Sequence, residues 1–371
     1  MSMICERAAV DERALLSFTP VTHAERVTDL VGVIQQLSLA RSLPDIQEIV
    51  RTAARRLTGA DGATFVLRDG DNCHYADEDA ISPLWKGQRF PLQACISGWS
   101  MLHRRPAIIE DIYCDERIPH EAYRPTFVKS LAMVPIRRLA PLGAIGNYWA
   151  THHQPTEQEV ELLQALADST AVAMENARVY QELEEARTET LKRLALAAEY
   201  RDDDTYQHTE RVAKTACAIA RQLGLSVADI ELIGQAAPLH DIGKLAISDT
   251  ILLKPGKLTP EEFAQIKTHP AAGAAILSGS TSQVLRLAEE IALSHHEWWD
   301  GSGYPAGLRG QAIPLSGRIV ALADVFDALT HARPYKPAWP VNHALAEIDR
   351  LAGRQFDPDI AAAFRQSSHD H

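Results

Sequence analysis

Leu239-His240-Asp241-Ile242-Gly243-Lys244 and, further along, His295-His296-Glu297-Trp298-Trp299-Asp300-Gly301-Ser302-Gly303-Tyr304-Pro305 are the two stretches that decide how this chain reads. Histidine and aspartate stand here beside windows that are otherwise apolar and helical in pattern. Residues 230 to 239 lead into His240, and 319 to 323 lead into Asp324. His208, in His208-Thr209-Glu210-Arg211-Val212, and His269 belong to the same set. A polar or charged group placed among apolar neighbours costs free energy unless something satisfies it. In an all-helical domain, such residues facing inward from several helices can meet in the interior and share metal ions. Each alone has an ordinary reading as a surface hydrogen bond or a solvated turn; the combination does not.

The rest of the chain bounds the context. Its 371 residues predict two domains, each large enough for its own core. Hydrophobic residues make up 46% and charged residues 23%, as in a folded protein, and no apolar stretch nears the roughly 18 to 20 residues of a membrane span. Met1-Ser2-Met3-Ile4-Cys5-Glu6-Arg7 lacks the basic and apolar regions of a secretory signal, so a cytoplasmic location is expected. The five cysteines, Cys5, Cys73, Cys95, Cys114 and Cys217, form no CxxC pair and indicate neither a disulfide framework nor a structural zinc site. A net charge of −12 argues against nucleic acid or anionic lipid as a partner, so an anionic ligand must meet local cations.

Ile34, Leu37, Leu39, Ile46, Ile49, Val50, Ala53 and Leu57 fall at helical spacing and predict two helices over about residues 25 to 58. Short apolar or alternating runs at 63 to 67, 107 to 109, 131 to 136 and 143 to 149, separated by turn residues such as Arg68-Asp69-Gly70-Asp71-Asn72, predict a sheet. Thr156 can cap a helix, and from 157 to beyond 200 there is neither Gly nor Pro. Val160, Leu163, Leu166, Ala167, Thr170, Ala173, Met174 and Ala177 have the three-four spacing of a seam that packs on another helix or on a dimer mate, the alternative being that they pack only against their own sheet. The pattern turns charged from about 187, which marks a connecting helix.

Two resemblances follow. Phe90-Pro91-Leu92, Cys95-Ile96-Ser97-Gly98-Trp99, residues 108 to 115, Pro119, residues 130 to 135 and Gly143-Ala144-Ile145-Gly146 resemble GAF domains over about 25 to 178. This implies an α+β regulatory sensor with a six-stranded antiparallel sheet backed by helices, holding an unknown small molecule or no ligand. Cys73-His74 does not lie where a phytochrome cysteine attaches bilin, and His103, His120, His152 and His153 read as surface residues.

The second runs from about 194 to 364. Glu199, Arg201, Asp202, Thr205, His208, Arg211-Val212, His240-Asp241-Ile242-Gly243-Lys244, residues 254 to 259, His269-Pro270, Gly303-Tyr304-Pro305, Arg318-Ile319-Val320, residues 324 to 329, residues 333 to 336 and Phe356-Asp357-Pro358 resemble the HD-GYP family of cyclic di-GMP phosphodiesterases. Tyr206-Gln207, where many members carry glycine, is the one visible departure. The resemblance implies a connecting helix over 179 to 198 and an all-α metal-dependent phosphohydrolase domain over 199 to 371.

Carried over residue by residue, it implies one ion held by His208, His240, Asp241 and Asp324, and another by Asp241, His269, His295 and His296, with Asp241 bridging. Asp204 would hold a third ion or act as a helix cap. Two or three divalent ions, iron or manganese, suit imidazole and carboxylate ligands. Lys244, Arg333 and Lys336 would meet substrate phosphate, and Tyr304 would line the substrate site or pack. The implied reaction is hydrolysis of the 3′-5′ bonds of cyclic di-GMP to pGpG or GMP, with the GAF domain as regulator and a homodimer joined through the connecting helix. The rival readings are a catalytically silent receptor for the dinucleotide and a phosphohydrolase of a hybrid cyclic dinucleotide.

Overall fold

The computed structural model describes residues 22–200, 207–332 and 337–367. The chain divides into two compact units, Met1–Leu183 and Glu184–His371.

The first unit opens with α1 (His23–Leu39) and α2 (Leu43–Thr58). Thr22 and Glu25 form a capping box at the start of α1, Ser42 caps α2, and Gly59, at φ 69°, ends α2 in the left-handed conformation that glycine tolerates best. Six strands follow: β1 (Gly62–Asp69), β2 (Asn72–Ala80), β3 (Arg89–Pro91), β4 (Ala107–Ile109), β5 (Ser130–Ile136) and β6 (Gly143–Trp149). They form one antiparallel sheet in the order β3-β2-β1-β6-β5-β4. Helix α3 (Ile96–His103) and the short α4 (His120–Tyr123) lie in the connections. All seven residues of β5 and of β6 are buried, which marks them as the centre of a sheet covered on both faces.

The sheet thus matches the expected fold, but β2 carries no apolar signal. Cys73 and Tyr75 point to the buried side that packs on α3, and past an irregularity in the pairing with β1 Asp77 and Asp79 turn to the α2 side, where the acidic run is neutralised by its surroundings. Asp77 pairs with Arg51 at 2.7 Å and Lys86 at 2.6 Å, and Asp79 pairs with Arg55 at 2.8 Å. Glu78 accepts from the backbone amides of Leu84, Trp85 and Lys86.

Helix α5 (Glu157–Glu199) runs unbroken for 43 residues. Here the expectation of a dimer seam needs correction. Leu163, Leu166 and Thr170 are fully buried, and Leu163, Leu166, Ala167, Ala173 and Ala177 join Val33, Leu37, Ile46, Val50, Leu57, Phe65 and Ile145 in the core of their own unit. Three-four spacing signals an apolar stripe but not its partner, and the sheet layer claims this one. The large apolar side chains that α5 leaves exposed are others: Val172, Val179, Tyr180, Leu183 and Leu194.

The second unit is helical: α6 (Gln207–Gln222), α7 (Val227–Ala236), two 3-10 turns (Ala237–Leu239 and Ile242–Ala246), α8 (Asp249–Leu252), α9 (Pro260–Ile266), α10 (His269–Leu277), α11 (Gln283–Ser294), α12 (Leu315–Thr330), α13 (Val341–Leu351) and α14 (Pro358–Ser367). Val212, Ile219, Leu239, Ile291, Ile319, Leu322, Phe356 and Phe364 form its core. No helix among the described residues is long and apolar enough to cross a membrane.

Candidate metal centre

Five segments of the second unit deliver the histidines and aspartates. Helix α6 carries His208, the break between the two 3-10 turns carries His240-Asp241, α10 opens with His269, His295-His296 follow the end of α11, and α12 carries Asp324. Glycines set the spacing. A Cβ on Gly243 would stand 1.9 Å from the carbonyl oxygen of His269, so only glycine lets the turn after Asp241 touch the start of α10. A Cβ on Gly317 would stand 2.1 Å from Ser294 Oγ, which keeps α12 close to α11.

Two groups of ligand atoms result, each lying within 4.8 Å of one another: Asp241, His269, His295 and His296 in one, and His208, His240 and Asp324 in the other. Asp241 lies between them, with 13% of its side chain exposed. Its Oδ1 faces His269 Nε2 at 3.2 Å and His295 Nε2 at 3.4 Å, and its Oδ2 faces His240 Nε2 at 3.3 Å. His208 Nε2 is 3.5 Å from Asp324 Oδ1. His240 Nε2, Asp241 Oδ1, His269 Nε2 and His295 Nε2 are buried, yet these approaches lack hydrogen-bond geometry. Buried polar atoms are ordinarily satisfied, so converging orphans with imidazole and carboxylate chemistry fit divalent metal ions.

The opposite edge of each ring is anchored. His240 Nδ1 meets the Ala237 carbonyl at 2.9 Å, His269 Nδ1 that of Ile266 at 2.7 Å, and His295 Nδ1 those of Ile291 and Ala292 at 3.1 and 3.0 Å. A ring that donates through Nδ1 presents its Nε2 lone pair inward, as a metal ligand must. His208 Nδ1 instead meets Asp327 Oδ2 at 2.6 Å, and Arg211 holds the same carboxylate at 2.5 and 2.9 Å. Asp327 has no role in the sequence reading, although it stands one helical turn after Asp324 and inside the 324–329 run that carries the resemblance. Burial pushes its carboxyl up, but hydrogen bonds from Arg211 and His208 overcome this and hold it at about 2.

Charge states follow from the surroundings. Burial holds His295 below its ordinary value and His296 well below, keeping both neutral. Burial opposes charge on Asp241 too, yet Lys244 and His240 keep its carboxyl well below the usual range. Lys244 Nζ lies 2.8 Å from Asp241 Oδ2, so the lysine is at the site.

The Gly-Tyr-Pro loop folds back onto the centre. Tyr304 donates its backbone amide to the His296 carbonyl at 3.1 Å, and its ring stacks on His296 with centroids 4.8 Å apart. A Cβ on Gly303 would stand 2.2 Å from the Trp298 nitrogen. Glu297, buried and unassigned by the sequence reading, clasps the loop by accepting from Ala306 at 2.7 Å and Leu308 at 3.0 Å. Burial, with Asp241 and Asp324 nearby, raises the Tyr304 hydroxyl and keeps it protonated. Arg354 lies over the ring of Trp298 and Arg318 over that of Trp299, 5.8 and 5.7 Å from the centroids. Asp204, Arg333 and Lys336 lie outside the described residues.

Comparison with known proteins agrees with this architecture. Residues 192–360 match the HD domain family and residues 40–175 the GAF domain family. A cyclic di-GMP phosphodiesterase of Thermotoga maritima is 43% identical over 249 residues, covering 66% of this chain and 65% of that one. The cyclic di-GMP phosphodiesterase response regulator RpfG of Xanthomonas campestris pv. campestris is 55% identical over 177 residues, 48% of this chain and 47% of that one. A 3′3′-cGAMP-specific phosphodiesterase 2 of Vibrio cholerae is 40% identical over 213 residues, 57% of this chain and 41% of that one. The chain spans about half the length of the curated relatives it matches. It consists of a GAF domain followed by a helical HD domain, consistent with the HD-GYP family.

Proposed function

We propose that the second unit is a metal-dependent phosphodiesterase that opens the 3′-5′ phosphodiester bonds of a cyclic dinucleotide, cyclic di-GMP first, to pGpG or GMP. The observation that carries this is the position of Asp241, which turns one carboxylate oxygen to each of two groups of ligand atoms. The reading assigns His208, His240, Asp241 and Asp324 to one ion and Asp241, His269, His295 and His296 to the other. Asp204 is available to a third.

Iron or manganese ions there would make water nucleophilic at neutral pH and draw off the negative charge that develops at phosphorus. The protein's part is positional. The Nδ1 anchors fix the rings, Asp327 orients His208, and Glu297 holds the Tyr304 loop against His296. Lys244 reaches a phosphate oxygen once the substrate arrives, exchanging its pair with Asp241 for a second anionic partner beside it. Arg333 and Lys336 supply further positive charge, and the protonated Tyr304 lines the substrate side of the loop. The GAF domain acts as regulator, in a homodimer joined through the connecting helix.

A second substrate has its own support, since one of the relatives is named for 3′3′-cGAMP. Chromatography of purified protein incubated with cyclic di-GMP, 3′3′-cGAMP and cyclic di-AMP separates the readings. The proposal expects linear products from cyclic di-GMP; faster turnover of 3′3′-cGAMP would move the assignment to the hybrid, and binding without turnover would make the protein a receptor.

A further inference from the structure

Phe263 and Lys267 stand one turn apart at the end of α9, a spacing that sets both side chains on one face. The Lys267 amide closes that turn on the Phe263 carbonyl at 3.0 Å, and His269 opens α10 two residues later. Lys267 is thereby tied by its backbone to a helix that carries a ligand of the metal centre. Its ammonium lies 4.9 Å from the centroid of the Phe263 ring and 5.2 Å from that of Tyr304. The Tyr304 ring in turn stacks on His296, so one aromatic wall runs from the metal centre to this cation.

Ring faces attract an ammonium without neutralising it. The other lysines of this region are already committed: Lys244 pairs with Asp241 at 2.8 Å and Lys254 with Glu262 at 2.7 Å. Among the described residues no carboxylate pairs with Lys267, which is exposed, and Phe263 beside it is left 45% exposed. The chain as a whole carries a net charge of −12. A cation fixed in place without an acid, at the end of a wall that begins at a metal ligand, is a local positive spot where an anionic ligand can be met.

A cyclic dinucleotide carries two phosphodiesters in one ring. When one of them is at the metal centre beside Lys244, two riboses hold the other away from it, against the wall of the site. On the cyclic dinucleotide reading given above, on which this rests, we propose that Lys267 receives the second phosphate and so distinguishes a cyclic dinucleotide from an ester with a single phosphate. The rings of Phe263 and Tyr304 keep the ammonium in position for it. The second phosphate keeps its charge while the first is cleaved, so its contact with Lys267 is the same in the bound substrate and in the transition state. Binding of that uniform kind lowers KM and leaves kcat alone.

The test compares wild type, Lys267→Met and Lys267→Arg in the full chain, loaded with the same metal ion and with bound metal counted by elemental analysis. Each is assayed on cyclic di-GMP and on bis(4-nitrophenyl) phosphate, a diester with one phosphate. Lys267→Met keeps the length of the side chain and removes its charge. It should raise KM for cyclic di-GMP about 10-fold, the scale of one hydrogen bond to a charged group, with kcat and metal content close to wild type. KM for the single-phosphate ester should rise far less, and Lys267→Arg should recover most of the loss. The salt dependence of KM for cyclic di-GMP should also flatten in Lys267→Met, because one screened charge contact is gone. An unchanged KM for cyclic di-GMP in Lys267→Met, an equal rise on both esters, or a fall in kcat or metal content in place of the KM change overturns the inference and leaves the substrate reading standing. Wild-type protein that cleaves the single-phosphate ester but no cyclic dinucleotide overturns the substrate reading, and the inference with it.

Discussion

Both units bury polar atoms that find no hydrogen bond, and the way those atoms are arranged separates a scaffold from a site. In the GAF unit two amide oxygens stand alone. Asn147 Oδ1 is unpartnered while its Nδ2 binds Thr58 and the Ala54 carbonyl; Gln164 Oε1 is unpartnered while its Nε2 binds Pro135 O and Asp168. Each is the spare end of an amide whose other end ties a helix to its surroundings. In the HD unit a set of them converges: His240 Nε2, His269 Nε2 and His295 Nε2 surround the two oxygens of one carboxylate. A single orphan costs about 1 to 3 kcal/mol and can be carried by the fold, whereas a cluster of them calls for a ligand.

The comparison breaks most readily at Asp241. Asp241→Ala should abolish hydrolysis and lower bound metal together, because one carboxylate serves both groups; full turnover in a variant stripped of metal, by product release and elemental analysis, would remove the basis for the cluster. Next in size, Lys244→Ala should reduce turnover about 100- to 1000-fold, the usual loss when one electrostatic stabiliser is deleted, with metal content close to wild type. Unchanged turnover would show that its pair with Asp241 is only structural.

Leu166→Ala tests the other side of the comparison. Leu166 is fully buried in the GAF core, so truncation should destabilise that unit by about 2 to 5 kcal/mol in chemical denaturation and leave metal content unaffected. A loss of dimer with no loss of stability would return Leu166 to an intersubunit seam. The smallest expected effect is Asp327→Asn, which should weaken metal retention about 10- to 100-fold, as losing the partner of a ligating histidine does, without eliminating it. Chelator titration would show no shift if Asp327 serves Arg211 alone.

The legible part of this molecule was whatever depends on local pattern. Strands β1, β5 and β6 are apolar runs, helices α1 and α2 carry their stripes and caps, and the histidines and aspartates stand out against apolar helical windows. What escaped depends on partners distant in sequence. β2 is acidic because Arg51, Arg55 and Lys86 neutralise it, and no property of residues 72 to 80 announces those neighbours. Asp327 and Glu297 lie within motifs, but their roles rest on His208, Arg211, Ala306 and Leu308, contacts that spacing does not reveal. The α5 seam shows the converse, since its periodicity was plain and its partner was not.

The central claim is that the cluster around Asp241 is a metal-dependent centre for cyclic dinucleotide hydrolysis. The most direct test is product release from cyclic di-GMP by the full chain after chelation and again after adding back ferrous or manganous ion, with bound metal counted in both states. The account predicts two or three ions per chain and linear product in the reloaded protein, and neither metal nor product in the chelated one. A reloaded protein with its ions in place that leaves both cyclic di-GMP and 3′3′-cGAMP intact, or hydrolysis that persists at full rate without metal, would contradict it.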